Sequence, residues 1–234
     1  MPTIESRSAV VLLSGGMDSS VLLHHVSREL RRAPVHAISF DYGQRHRREL
    51  DAAAWQAKAS GAAVHQIVDM AFLGGLIQGG TSLVTGGAAV PDFAALSPSS
   101  LDQPPTYVPN RNMILLSLAA AYAEAQGIRE VFYGAQAHDE YGYWDCTRAF
   151  LTRINATLAL NRRDAVTIHA PLIGKRKAEL VRMGRALGID FVQTWSCYRG
   201  GEKACGTCPT CVERLKAFAE VGLIDPLPYA QILT

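Results

Sequence analysis

Two stretches of the chain hold residue types at spacings that could do chemistry. The first is Leu12-Leu13-Ser14-Gly15-Gly16-Met17-Asp18-Ser19-Ser20. Paired glycines let backbone N–H groups come close to an anion, and a helix starting behind them adds partial positive charge. Asp18 sets a carboxylate among those donors, which suits a phosphate accompanied by a divalent cation better than a bare phosphate. The lysine of a Walker loop is absent. The second stretch is Cys197-x7-Cys205-x2-Cys208-x2-Cys211. Four thiolates so close together match a closed tetrahedral zinc site, although four cysteines can also hold an iron–sulfur cluster. With every position filled by protein, the expected ion is structural and not catalytic. Gly200, Gly201 and Gly206 let the chain wrap around it. Cys146 is left over, either an inert core thiol or a group acting through its neighbour Asp145.

These residues need elements to position them. Ala9 to Leu13 is an apolar run short enough for a buried strand, and Val21 to Leu30 has helical spacing. Residues 34–40 read as a second strand, ending in Asp41-Tyr42-Gly43-Gln44-Arg45-His46. A helix is expected over 49–60, stopped by Gly61, and a third strand over 62–69. Alternating strands and helices predict a parallel sheet covered on both faces, with ligands beyond the C-terminal strand ends, where both Ser14–Ser19 and Asp41–His46 fall. From about 74 to 109 the pattern fails amid Gly, Ser and Pro, so a flexible insert is expected, serving as a lid, an oligomer contact or plain disorder. Residues 113–123 are apolar nearly all round, predicting a deeply buried helix capped by Asn110 or Asn112 and closed by Gly127. Further strands are expected over 130–134 and 166–171. Further helices are expected over 147–161, 177–187 and 209–220. No internal repeat and no dividing linker is present.

Composition narrows the class. The chain has 234 residues, 48% of them hydrophobic and 19% charged, as expected of a soluble globular protein. A net charge of +2 is too small to point to nucleic acid, and Arg45-His46-Arg47-Arg48 is the one dense basic cluster. No apolar run reaches the roughly 18 residues of a membrane helix, and the N-terminus lacks a signal-peptide layout. A cytoplasmic protein with no membrane contact is expected. The clustering of four of the five cysteines agrees.

The Ser14–Ser19 loop resembles the pyrophosphate loop of enzymes that split ATP into AMP and pyrophosphate. Asp41–His46, Arg111-Asn112, Gly142-Tyr143-x-Asp145-Cys146 and Thr194-x-Ser196-Cys197-Tyr198 follow in order, with Cys205, Cys208 and Cys211 behind them. Over nearly its whole length the chain resembles the QueC family, the 7-cyano-7-deazaguanine synthases of the queuosine pathway. One departure is Trp144-Asp145-Cys146-Thr147, where the family often reads Pro-Asp-Cys-Arg.

The resemblance implies an α/β, Rossmann-like sheet of the adenine nucleotide alpha-hydrolase type. Residues 1–193 would form the nucleotide-binding domain, with 194–234 a zinc-binding segment packed on it. It implies a ligase that adenylates 7-carboxy-7-deazaguanine with Mg-ATP, replaces AMP by ammonia to give an amide, then adenylates the amide and releases the nitrile. Nothing ahead of Ser14 resembles a glutaminase, so free ammonia is the expected nitrogen source. A homodimer is implied as well. An alternative is a relative that joins the adenylated acid to another amine, for example on a protein. A tRNA-modifying ligase or a zinc-dependent binding module fits the charge balance less well.

Adenylation needs a neutralised leaving group and in-line attack more than covalent help. The nucleotide would be held by Leu12, Leu13, Ser14, Gly15, Gly16, Met17, Asp18, Ser19 and Ser20. Within that set Asp18 would orient Mg²⁺, and the hydroxyls of Ser14 and Ser19 would hold pyrophosphate. Ser39, Phe40 and Asp41 would receive adenine. Arg45, Arg111 and Lys177 are candidates for a phosphate or the substrate carboxylate, since an arginine offers a forked donor pair. Tyr42, Gln44, Asn112, Asp139, Tyr143 and Asp145 would contact the substrate, and His46 could also shuttle protons. Tyr42, Tyr143, Trp195 and Tyr198 could stack a purine-like ring, while His24, His25, His36, His65 and His169 read as packing.

Overall fold

The computed structural model describes residues 7–96, 103–137 and 142–232. Strand β1 (Ala9–Leu12) leads through the two glycines into helix α1 (Met17–His24), which is extended by a π-helical turn over His25–Glu29. Then come β2 (Val35–Asp41), α2 (Arg48–Ser60) and β3 (Val64–Asp69). Helix α3 (Ala71–Ile77) opens the irregular region, and α4 (Arg111–Ala125) closes it. The chain continues through β4 (Glu130–Phe132), α5 (Arg148–Leu158), β5 (Thr167–His169), α6 (Lys177–Ala186) and α7 (Pro209–Glu220).

All five strands are parallel, in the order β3-β2-β1-β4-β5. The order reverses between β1 and β4, and the crevice beyond the C-terminal ends at such a switch point is where ligands bind in open α/β sheets. Period-two alternation splits the apolar residues into two cores. Val10, Ile38, Phe40 and Val131 pack on the face that carries α4. Ala9, Val11, Leu13 and Phe132 pack on the face that carries α1 and α6.

Two expectations are corrected. Helix α4 buries Leu115, Leu116, Ala119, Ala120 and Ala123, but Met113 and Leu118 are each 41% exposed. Its run of alanines carries no directional signal, so tertiary contact alone selects the buried side. Asn110 stands at the N-cap in a left-handed conformation without a side-chain cap, and the Asp145 carboxylate accepts the Asn112 N–H instead (3.0 Å).

The described parts of 74–109 are folded onto the body. Leu83, Val84, Val90 and Val108 are buried. Arg45 N–H donates to Leu83 O (2.9 Å), Thr85 N–H to Gly43 O (3.0 Å) and Phe93 N–H to Thr207 O (2.8 Å). The insert thus bridges the 41–46 turn and the cysteine segment. Its apolar anchors occur without periodicity, which is why the sequence reads as flexible.

Candidate active site

Beyond the strand ends lies a cavity of about 240 Å³. One wall is the loop after β1. Gly16 caps α1 with no side chain of its own, so no side-chain cap covers the first turn of the helix, the end at which a helix attracts anions. Gly15 has φ +84°, and a Cβ there would sit 2.0 Å from Glu49 O. Only glycine lets the loop lie this close to α2. Ser14 Oγ accepts from Gly16 N–H (3.2 Å) and meets Ser19 Oγ at 3.0 Å. Asp18, in the first turn of α1, faces Lys177 Nζ at 3.8 Å, and Lys177 also pairs with Glu213 at 2.8 Å. Three elements therefore meet at this wall of the cavity.

The opposite wall comes from β2, its turn and the start of α4. Ile38, Phe40, Tyr42, His46, Glu49, Arg111 and Asn112 line it. Arg111 donates to Tyr42 Oη at 3.5 Å. Burial opposes its charge, but the Tyr42 and Tyr198 hydroxyls and the Asp145 carboxylate outweigh that and raise its pKa above the ordinary value. Arg111 is therefore a permanently charged cation inside the cavity. Asp145 is buried and its pKa is raised by that burial, against the pull of Arg111 and the Asn112 N–H. Asn112 Nδ2 donates to Cys146 Sγ (3.1 Å), and Cys146 lines the cavity too.

The C-terminal segment closes the site. Trp195 N–H donates to Gly15 O (2.9 Å), its indole N–H donates to Cys197 O (3.0 Å), and the Arg48 guanidinium lies 4.4 Å from its ring centroid. Trp195, Ser196, Tyr198, Thr210 and Arg214 line the cavity. The Arg214 side chain is 1% exposed and grips Asp225 through two bonds of 2.7 and 3.0 Å.

The four cysteine sulfurs lie within 4.8 Å of one another. A tetrahedral zinc with bonds of ~2.3 Å places its sulfurs roughly 3.8 Å apart, and Cys205 Sγ to Cys211 Sγ is 3.9 Å. Backbone N–H groups of Cys205, Thr207 and Cys208 point at cysteine sulfurs (3.2–3.4 Å). Neighbouring thiols oppose one another: hydrogen bonds from Cys208 and Cys211 hold Cys197 low, and those same bonds, with burial, push Cys208 up to about 12 and raise Cys211. The sulfurs fit a single small ion.

The structure gathers Leu12, Leu13, Ser14, Gly16, Met17, Asp18, Ser19, Phe40, Tyr42, His46, Arg111, Asn112 and Lys177 around the cavity. It places the other expected residues elsewhere. Ser39 faces the other side of the sheet, with its hydroxyl on Leu13 O and His65. Asp41 binds Arg47 and Gly43 N–H, and Gln44 is wholly buried bracing the turn through Tyr42 N–H and Phe40 O. Arg45 reaches away to Ser82 O and the carbonyls of Gly87 and Ala88, where it anchors the insert. Gly15 and Ser20 support the loop from behind, Ser20 Oγ donating to Gly16 O (2.7 Å). Tyr143 Oη meets Thr106 Oγ1 (2.7 Å), and Asp145 sits behind Arg111. Asp139 lies outside the described residues. Glu49, Thr210 and Arg214 line the cavity without having stood out in the sequence. Charged residues on amphipathic helices read as solvent-facing, and nothing local marks these as inward.

The chain is similar to known proteins over nearly its whole length. The family model described as "Queuosine biosynthesis protein QueC" matches residues 8–222. The chain is 45% identical over 224 residues to the 7-cyano-7-deazaguanine synthase of Alteromonas mediterranea, covering 96% of this chain and 99% of that protein. It is 44% identical over 239 residues to the protein of that name from Thermoplasma acidophilum, covering 99% and 95%. Among solved structures, NMN synthetase from Francisella tularensis superposes with a TM-score of 0.50 at 15% identity, over 94% of this chain and 79% of that one. The U34-tRNA thiolase NcsA from Methanococcus maripaludis, solved with its 4Fe-4S cluster, also gives 0.50, at 16% identity over 78% and 58%. These two share the fold. By the family match and by near full-length identity with its curated relatives, the chain belongs to the QueC family of queuosine biosynthesis proteins.

Proposed function

We infer that the cavity carries the activity for which the relatives are named, formation of 7-cyano-7-deazaguanine, with ATP as the activating reagent. The substrates in this reading are 7-carboxy-7-deazaguanine and ammonia. The observation that carries it is the pairing of two unlike receptors in one cavity: loop donors with Asp18 and Lys177 on one wall, and the buried Arg111 cation on the other.

The substrate carboxylate approaches Arg111, whose forked donors suit it. Its oxygen attacks the α-phosphate and pyrophosphate leaves toward the N-terminus of α1, where Ser14, Ser19 and Lys177 stabilise the departing charge. Ammonia displaces AMP to give the amide, and a second ATP activates the amide oxygen so that loss of AMP leaves the nitrile. Asp18 would hold Mg²⁺; its side chain is partly exposed to the cavity at 24%, beside Lys177. A cation bound there supplies further neutralisation of pyrophosphate. The cysteine set would hold one structural Zn²⁺, which supplies cross-linking of the C-terminal segment. A homodimer belongs to the same reading and is checked by sedimentation.

The test is mass spectrometry after incubating the purified, metal-replete chain with the carboxylate, ammonia and Mg-ATP. Nitrile with two AMP per molecule is expected. No AMP above background overturns the reading. Asp18→Asn is expected to cut turnover at least about a hundred-fold, in line with the loss of charge stabilisation at a phosphoryl site, with unchanged melting.

A further inference from the structure

Two hydroxyl groups on the cavity wall have no part in the steps above, those of Ser196 and Thr210. Both belong to the C-terminal segment, and both lie toward the Ser14–Ser19 loop. Trp195 N–H bonds to Gly15 O (2.9 Å), and Trp195 O is 3.6 Å from the point that a Cβ on Gly16 would occupy. Ser196 therefore follows a residue packed against the two glycines. Thr210 lies in the first turn of α7. Glu213, one turn on, shares its helix face and pairs with Lys177 (2.8 Å), which in turn faces Asp18 (3.8 Å). The Thr210 face of α7 is thus turned to the loop wall of the cavity.

A guanidinium only donates, and Arg214 Nη1 donates to Ser196 Oγ (3.4 Å). The Ser196 hydroxyl accepts there, so its own hydrogen is left for another acceptor. Thr210 is 8% exposed, and its hydroxyl has no hydrogen-bond partner among the described residues. Its oxygen is not sealed off, and the residue lines the cavity. Pro209, which opens α7, has no N–H, and the N-cap Cys208 supplies no side-chain cap. The Thr210 N–H is therefore the first donor at a helix end where partial positive charge gathers. Donors held without acceptors call for a ligand that brings both acceptors and negative charge. Phosphoryl oxygens do both.

We propose that Ser196 and Thr210 complete the receptor for the pyrophosphate portion of ATP. Each hydroxyl donates to a phosphoryl oxygen. Arg214 acts as a positioning residue for Ser196, its remaining donors being committed to Asp225, Thr194 and Phe191. Because these bonds go to the leaving group, they strengthen as the bond to the α-phosphate breaks and charge builds on pyrophosphate. Thr210 stands between Cys208 and Cys211 in the chain, so the segment that gathers the cysteines also aims this hydroxyl.

The inference rests on the reading of ATP as the activating reagent, so binding is measured apart from turnover. Calorimetry is run with Mg-ATP, with AMP and with 7-carboxy-7-deazaguanine, each alone. Thr210→Val keeps the shape and loses the hydroxyl. It is expected to bind Mg-ATP about ten-fold more weakly, the scale of a lost hydrogen bond to a charged group. Ser196→Ala is expected to show a similar loss. Affinities for AMP and for the carboxylate are expected to stay within two-fold, since neither carries pyrophosphate. Thr210→Ser, which restores the hydroxyl, is expected to bind Mg-ATP as the unmodified chain does. Mg-ATP affinity within two-fold of the unmodified chain in either loss variant removes that residue from the receptor, and in both it overturns the proposal. An equal loss for AMP, or no recovery in Thr210→Ser, marks a merely structural role and overturns it too. If Thr210→Val fails to fold, judged by melting and metal content, Ser196→Ala decides. No binding of Mg-ATP to the unmodified chain overturns the ATP reading itself.

Discussion

Asp18 and Lys177 stand 3.8 Å apart although most of the chain separates them, and their pairing joins the first turns of α1 and α6. Asp18 is legible in the sequence because its whole loop is contiguous. Lys177 is legible only as a candidate cation; its pairing with Asp18 and Glu213 is not, because those partners meet only after three helices pack. The same limit explains Ser39, which lies next to Phe40 in sequence but on the opposite face of β2. Histidines away from the cavity set the acid response. His24 is buried, with Nε2 on Gln56 Oε1 (3.0 Å). Burial, only partly offset by that bond and reinforced by Arg28, lowers its pKa below the ordinary value, and burial lowers His65 and His169 as well. A depressed histidine favours the neutral form when folded. Its contribution is complete above about pH 6.5 and is lost as the pH falls below that. Denaturation midpoints measured from pH 7.5 to 5 are therefore expected to drop, and His24→Asn is expected to flatten part of the slope.

At the scale of elements, α7 shows how a helix near the end of the chain becomes part of the site. Pro209 starts it directly after Cys208, so two of the four cysteines ride on its first turn or beside it. Arg214 then reaches inward to Asp225, Thr194 Oγ1 (2.7 Å) and Phe191 O (3.0 Å). The helix boundaries are legible, since the proline and the apolar spacing mark both ends. The inward arginine is not, because a charge on an amphipathic helix normally faces water. Removing one member of a buried pair strands the other charge. Arg214→Met is expected to cost about 3–5 kcal/mol in urea unfolding, and adding Asp225→Leu is expected to recover most of it. Helix α4 is the converse case: its existence was plain from the sequence, but its exposed Met113 and Leu118 were not.

At the scale of the molecule, the four-cysteine cluster and the Ser14–Ser19 loop are one construction. Trp195 bonds to Gly15 through its backbone and to Cys197 through its indole, and the insert fastens to both the 41–46 turn and Thr207. If the proposed metal is held there, its loss should therefore reach the Ser14–Ser19 loop. Incubation with a strong chelator is expected to lower the melting temperature, open the chain between Arg199 and Cys208 to protease, and abolish ATP turnover. Cys208→Ser is expected to do the same without chelator. Full activity in chain stripped of metal would break this link.

The sequence by itself determined the chemistry that depends on neighbours along the chain: the glycine-rich loop with its aspartate, the four-cysteine spacing, the alternation of strands and helices, and the family. Each is local, so spacing alone specifies it. Tertiary structure decided what depends on distant surfaces meeting. It turned Arg45 and Gln44 into braces for the turn and insert, and made Arg111 a buried cation. It also brought Lys177 to Asp18, and set His46 and Glu49 in the cavity wall. Those roles follow from which face of each element is covered, and that is a property of the packed sheet and not of any single segment.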